Sequence, residues 1–113
     1  MILKHLYILN DKGTFYRISI PVGRIFLFRV LGVGSDANGN CATYTITGVA
    51  KNINNTVTVP TVNVVEIQDD LTVTGMSAEA DDTNNALVIT ATGKNATAMK
   101  WSAFVEWEEV AFA

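Results

Sequence analysis

Cysteine, histidine, proline and charge are all scarce in this chain of 113 residues. It carries one cysteine, one histidine and two prolines, and only 17% of its residues are charged. A single cysteine, Cys41, excludes an intrachain disulfide, so the fold does not depend on oxidation. A small buried thiol is the role expected for it. One cysteine and one histidine also fall short of the several ligands a zinc site draws on. No apolar run approaches the roughly 18 residues a membrane-spanning helix needs. The opening MILKHLYILNDKG is cut short by Asp11 and Lys12 and lacks a small-residue cleavage site, which argues against a signal peptide. Helical periodicity is missing too.

What is present is apolar material, at 49% of residues, enough for one core in a single domain spanning residues 1–113. Net charge is −3, which speaks against nucleic-acid binding through bulk electrostatics. The charge is unevenly placed. Residues 1–51 hold six basic and two acidic side chains, a net +4, and residues 52–113 hold two and nine, a net −7. The plain expectation is that the two halves fold onto each other; the sharper one is polarity between neighbouring subunits.

Period-two alternation dominates the rest. From Met99 to Trp107 the odd positions are Met99, Trp101, Ala103, Val105 and Trp107, against Lys100, Ser102, Phe104 and Glu106, the pattern of a half-buried strand. Similar runs cover Ile2–Leu9, Thr14–Ile20, Arg24–Val33, Cys41–Ala50, Thr56–Ile67, Ala86–Thr92 and Ala98–Ala111, with a short or irregular piece at Leu71–Thr74. Turn residues separate them: Asn10–Gly13 as a hairpin turn, Pro21–Gly23, Gly34–Asn40, Lys51–Asn55, Asp81–Asn85 and Gly93–Thr97. Pro60 marks an edge or a bulge in its run. Arg24–Val33 places Phe26, Phe28 and Val30 on one face, and Ile25 and Leu27 make the other partly apolar, as in a central or interface strand. The fold expected is all-β: an antiparallel β-sandwich, jelly-roll-like or a small barrel, of about eight strands.

Candidate chemistry is thin. His5 has no nucleophile motif to serve. Glu66, Asp69, Asp70, Glu79, Asp81 and Asp82 crowd one span and offer oxygen ligands for calcium, though in no EF-hand spacing. Glu106 and Glu108 share a strand face about 7 Å apart, a spacing also met on any wet strand face. No phosphate-binding glycine loop or cofactor motif is present. Asn54-Asn55-Thr56 and Asn95-Ala96-Thr97 match the glycosylation triplet and both read as turns. The reading is of a protein without an active site, catalytic or metal residues, or cofactor.

An ordered set of motifs carries a resemblance. CATYTITGVAK (41–51) is followed by VPTVNVV (59–65), Asp69-Asp70, ADDTNNALVI (80–89), Gly93 and KWSAFVEWEEV (100–110). Together these resemble a small β domain that recurs in tailed-bacteriophage virion proteins, often at the end of tail-fibre polypeptides. The chain departs from that pattern at Lys100, where the family usually has arginine, and in lacking a tryptophan after the acidic turn. The resemblance implies a virion structural module, assembled in the host bacterial cytoplasm, and a homotrimer.

Three functions follow as expectations. The first is a capsid decoration or cement protein on the major capsid protein, suggested by minimal length and a chain that looks free-standing. The second is a tail-fibre or receptor-binding tip that binds host glycan or protein through the Asn-rich turns at 38–40, 52–55 and 84–85. The third, an enzyme such as a glycan depolymerase, is the least supported. A subunit interface is expected at Phe104, Trp101, Trp107, Ile25 and Leu27, with no nucleic acid or membrane among the partners.

Overall fold

Valine, threonine and aromatic residues at alternate positions fit a pleated, half-buried surface, and the described residues form eight strands. The computed structural model describes residues 2–8, 12–72, 74–94 and 97–112, with the backbone alone for 2–8 and 12–16. The strands are β1 (Ile2–Ile8), β2 (Lys12–Ser19), β3 (Arg24–Ser35), β4 (Cys41–Ile53), β5 (Thr56–Asp69), β6 (Gly75–Asp81), β7 (Ala86–Thr92) and β8 (Lys100–Ala111). One short 3-10 turn, Asp82–Asn84, precedes β7. Two antiparallel sheets result, a larger one in the order β1-β8-β3-β4-β5 and a smaller one in the order β2-β7-β6. The architecture is a sandwich, not a closed barrel.

Between the sheets lies the core. Phe26, Phe28 and Val30 from β3, Tyr44 and Ile46 from β4, and Trp101, Val105 and Trp107 from β8 meet Ile18, Met76, Ala78, Leu87 and Ile89 of the smaller sheet. Trp107 stacks on Phe26 with ring centroids 5.5 Å apart, and Trp101 lies over Tyr44 at 6.5 Å. Buried Asn52 joins the layers' connection at one end. Its side-chain amide donates to the Ile20 backbone carbonyl at 2.8 Å, and its backbone carbonyl accepts from the Gly23 N–H at 2.9 Å.

The sheets are unequal, and one row of residues displays the consequence. Val105, Val30, Ile46 and Val64 are successive cross-strand partners on the core-facing side. The first three are fully buried, whereas Val64 is 43% exposed. A three-stranded layer cannot cover a five-stranded one, so β5 overhangs.

The hairpin expected across Asn10–Gly13 falls partly on residues 9–11, outside the described residues; the strands on either side, β1 and β2, pair with β8 and β7 in different sheets. A turn reverses the chain, but the choice of partner follows from which faces are buried. Leu71–Thr74, expected as a short or irregular piece, bends at Leu71 and Thr72, and the strand that follows, β6, was not expected. Its sequence GMSAEAD has no β-branched residue and so gave no propensity signal. Pro60 meets both of its expectations: β5 is an edge strand, and Val59 and Pro60 together oppose Ala50 in a bulge.

Candidate functional site

The face of the larger sheet turned away from the core has no second layer among the described residues. Residues of odd number on β3 point onto it: Leu27 is 61% exposed, Val33 46% and Leu31 42%. Ile25 is half-buried on the same face. From β8 come the even residues, with half-buried Phe104 directly opposite Leu31. The row extends through Thr45 to Val65 of β5, giving Phe104–Leu31–Thr45–Val65 across four strands. Scattered exposed apolar side chains are ordinary, but a contiguous set on a flat face is a packing surface.

Near the middle of this face, Arg29 and Glu106 are cross-strand partners, with Nη2 and Oε1 2.6 Å apart. A shallow depression of about 320 Å³ opens there, between Leu27, Arg29, Thr47, Glu106 and Glu108. Glu106 is thus held by a guanidinium, and Glu108 lies beside Leu27 in the next row.

Of the five expected interface residues, the structure brings Phe104, Ile25 and Leu27 onto this one face. Trp101 and Trp107 are placed elsewhere, 1% and 8% exposed in the core, where a partner does not reach them. Alternation alone put them on the apolar side of β8, and that side faces the smaller sheet. Leu31 and Val33 were missed, although the signal was present: they continue the alternate set begun by Ile25 and Leu27.

The Asn-rich turns separate into two groups. Asn54 and Asn55 form the two-residue β4–β5 turn at φ 52° and 67°, the mirror-image turn suited to hairpin twist. Asn85 donates from its side-chain amide to the Asn55 side-chain carbonyl at 3.0 Å, so these turns share one end of the sandwich. Residues 36–40 link β3 to β4 at the other end, about 40 Å away by strand rise. A single binding tip therefore does not include all three turns. Asn95-Ala96 of the second glycosylation triplet lies outside the described residues, as does the His5 side chain, whose backbone pairs with Phe104.

The acidic residues divide in the same way, because β5 and β6 carry them to opposite ends. Asp82 accepts the Val57 N–H at 2.8 Å at one end. At the other, Asp69 accepts N–H groups of Leu71 at 2.9 Å, Thr72 at 3.0 Å and Thr74 at 3.2 Å. Thr72 sits at φ 67°, uncommon for a β-branched residue, and this fork of bonds holds it there. Burial tends to raise the Asp69 pKa, but the Thr74 side chain and the three N–H donors outweigh it, leaving it below the usual carboxylate value. Asp70 is lowered by the Cys41 N–H and the Gln68 amide. Asp36 is lowered mainly by the Asn40 amide, and Asp81 by Asn84 and Arg17. Among the described residues no three His, Cys, Asp or Glu side chains gather as a metal site. These carboxylates instead fasten loops. Burial and the neighbouring Asp70 raise the half-buried Cys41 thiol above its ordinary pKa, away from reactivity.

Among the described residues, part of the uneven charge is paired within the chain. The three described ion pairs, Arg17–Asp81, Arg24–Glu109 and Arg29–Glu106, each join a basic residue of the first half to an acid of the second.

No family model matches the chain, and no curated protein matches it. Solved structures that resemble it include two phage tailspikes. One is gp49 of Acinetobacter baumannii bacteriophage Fri1, a capsular polysaccharide depolymerase, with a TM-score of 0.48 and 14% identity over 94% of this chain. The other is the tailspike of Acinetobacter phage vB_ApiP_P1, with a TM-score of 0.47 and 14% identity over 95%. The chain spans 17% and 22% of the lengths of those two proteins. Likeness at this level carries no activity or substrate across. It does correct the expectation of a protein that is not an enzyme. That expectation rested on a missing catalytic constellation, yet a matched protein is a depolymerase more than five times the length of the part aligned to this chain. A β domain without such a constellation is therefore no sign that its protein lacks enzymatic activity.

Proposed function

We propose that this chain is a structural module of a phage virion, set in a tail-fibre or tailspike-type protein, and that the outer face of its larger sheet packs against a neighbouring virion chain. The observation that carries the reading is the exposed apolar set Leu27, Leu31, Val33 and Val65 on that face, with half-buried Phe104 in the same row as Leu31 and Val65. Such a face, mainly apolar with the Arg29–Glu106 pair and Glu108 set among its apolar side chains, suits burial against another protein. The phage setting is supported by the ordered motifs from Cys41 to Val110. A tail position takes precedence over capsid decoration because the resembled domain recurs in tail fibres, whereas the decoration reading drew on chain length.

Antibody labelling of intact particles tests the setting. Label on the tail is expected; label on the head overturns the tail assignment, and its absence from particles overturns the virion role. Leu27→Lys with Leu31→Lys tests the face. Both residues are exposed, so stability should move by about 0.5 kcal/mol or less. Incorporation into particles should nevertheless fall sharply, and unchanged incorporation would remove the face from assembly.

A further inference from the structure

Among the described residues, the edge strand β5 carries the longest unbroken run of exposed side chains. Every residue from Pro60 to Gln68 is exposed, on both faces of the strand. Proteins normally guard such an edge with charge, proline or bulges. Here the Val59–Pro60 bulge stands at one end, and a second irregularity, at Ile67 between the Tyr44–Glu66 and Thr43–Gln68 pairs, stands at the other. Between them Thr61-Val62-Asn63-Val64-Val65 has no guard, and no charge occurs from Thr56 to Val65.

We propose that this window is a pairing site for a second copy of the chain, β5 against β5 in antiparallel register about a two-fold axis centred on Asn63. Strand direction and charge select this occupant. The sheet alternates through five strands, so β5 and the opposite edge strand β1 run the same way. A head-to-tail contact of β5 with the next copy's β1 would be parallel, whereas a two-fold contact is antiparallel and closes at two copies. The acids of β5 lie at its C-terminal end, at Glu66 and Asp69. Antiparallel pairing sets each acidic end beside the other's neutral Thr56–Pro60 end, and parallel pairing would stack like charges.

The register follows from the side chains. Centring on Asn63 places Val62 opposite the second copy's Val64, and Val64 opposite its Val62, on the overhanging core-side face. Four valines then cover one another where the smaller sheet cannot reach, a favourable set of cross-strand pairs. Thr61 and Val65 meet on the outer face. This is a two-fold pair in place of the trimer that the family resemblance implies, and it does not depend on the virion reading.

Cysteine cross-linking of the purified chain tests the proposal. In a Cys41→Ser background, Asn63→Cys puts the two thiols directly opposite, with Cα atoms about 5 Å apart and within disulfide reach. Thr61→Cys is about 13 Å from its own copy along the strands. The expected result is a dimer in sedimentation, with oxidative cross-linking at position 63 and none at 61. Val64→Lys should weaken dimerisation by about tenfold or more with an unchanged circular dichroism spectrum. A monomer at all soluble concentrations, a trimer or larger species, cross-linking at 61 instead of 63, or a dimer unmoved by Val64→Lys would each overturn it.

Discussion

Arg29 and Glu106 face each other directly across β3 and β8, 2.6 Å apart, as charged partners with Leu27 and Glu108 in the next row. The guanidinium is half exposed, so water screens the pair and its worth is small. A double-mutant cycle with Arg29→Ala and Glu106→Ala should give a coupling of about 0.5 kcal/mol by urea denaturation. The coupling should shrink further in molar salt. A value several times larger would mean that the pair is shielded, as it would be if another chain covered it.

Close packing of glycines ranks three substitutions. A Cβ on Gly48 would stand 2.6 Å from the Thr61 carbonyl oxygen and 2.7 Å from the Phe28 ring. On Gly34 it would meet the Trp101 ring at 2.6 Å. Backbone and a buried indole cannot give way cheaply, so Gly48→Ala and Gly34→Ala should each cost about 1–3 kcal/mol. Gly32→Ala meets the end of Met76, a flexible side chain that fills irregular gaps. It should cost less than either, as thermal denaturation of the three variants would show.

Acid should loosen the loops before the core. Asp36, Asp69, Asp70 and Asp81 all have folded-state pKa values below the usual one. Their contribution is therefore complete above the unfolded value of about 3.9 and is lost as pH falls through the lower folded values. The melting temperature should stay level from pH 7 to about 5 and then fall. Asp69→Asn should lower stability at neutral pH, by on the order of 1 kcal/mol. It should also flatten the acid slope, which pH-dependent melting curves would reveal.

Alternation made β3 readable from Arg24 to Val33 and β8 from Lys100 to Ala111, since a single buried face writes period two directly into the sequence. It could not show that β1 and β2 belong to different sheets, because a turn motif does not name the strand's partner. β6 was invisible for lack of β-branched residues, its place being set by burial of Met76 and Ala78. At the candidate surface the same logic held. Ile25 and Leu27 were legible, and Leu31 and Val33 followed from the same rule carried two steps further. Which face of β8 met the second layer was a tertiary matter, so the tryptophans were placed only by the fold. The exposed core-side valines of β5 had no sequence signal at all. Their exposure comes from the unequal strand counts.

The register of the larger sheet also dictates an order of events during synthesis. β8 sits between β1 and β3, joining Ile2 to Trp107 and Arg24 to Ala111. The β3–β4–β5 meander pairs neighbours in sequence and can form early. The slot between β1 and β3, however, stays empty until β8, the last of these strands in chain order, has been made. Until then β1 and β3 each present an unpaired edge, and contacts this distant in sequence close slowly. The strand that carries both tryptophans is thus also the one that completes the larger sheet, and the open edges beside its slot are a pairing hazard until it arrives.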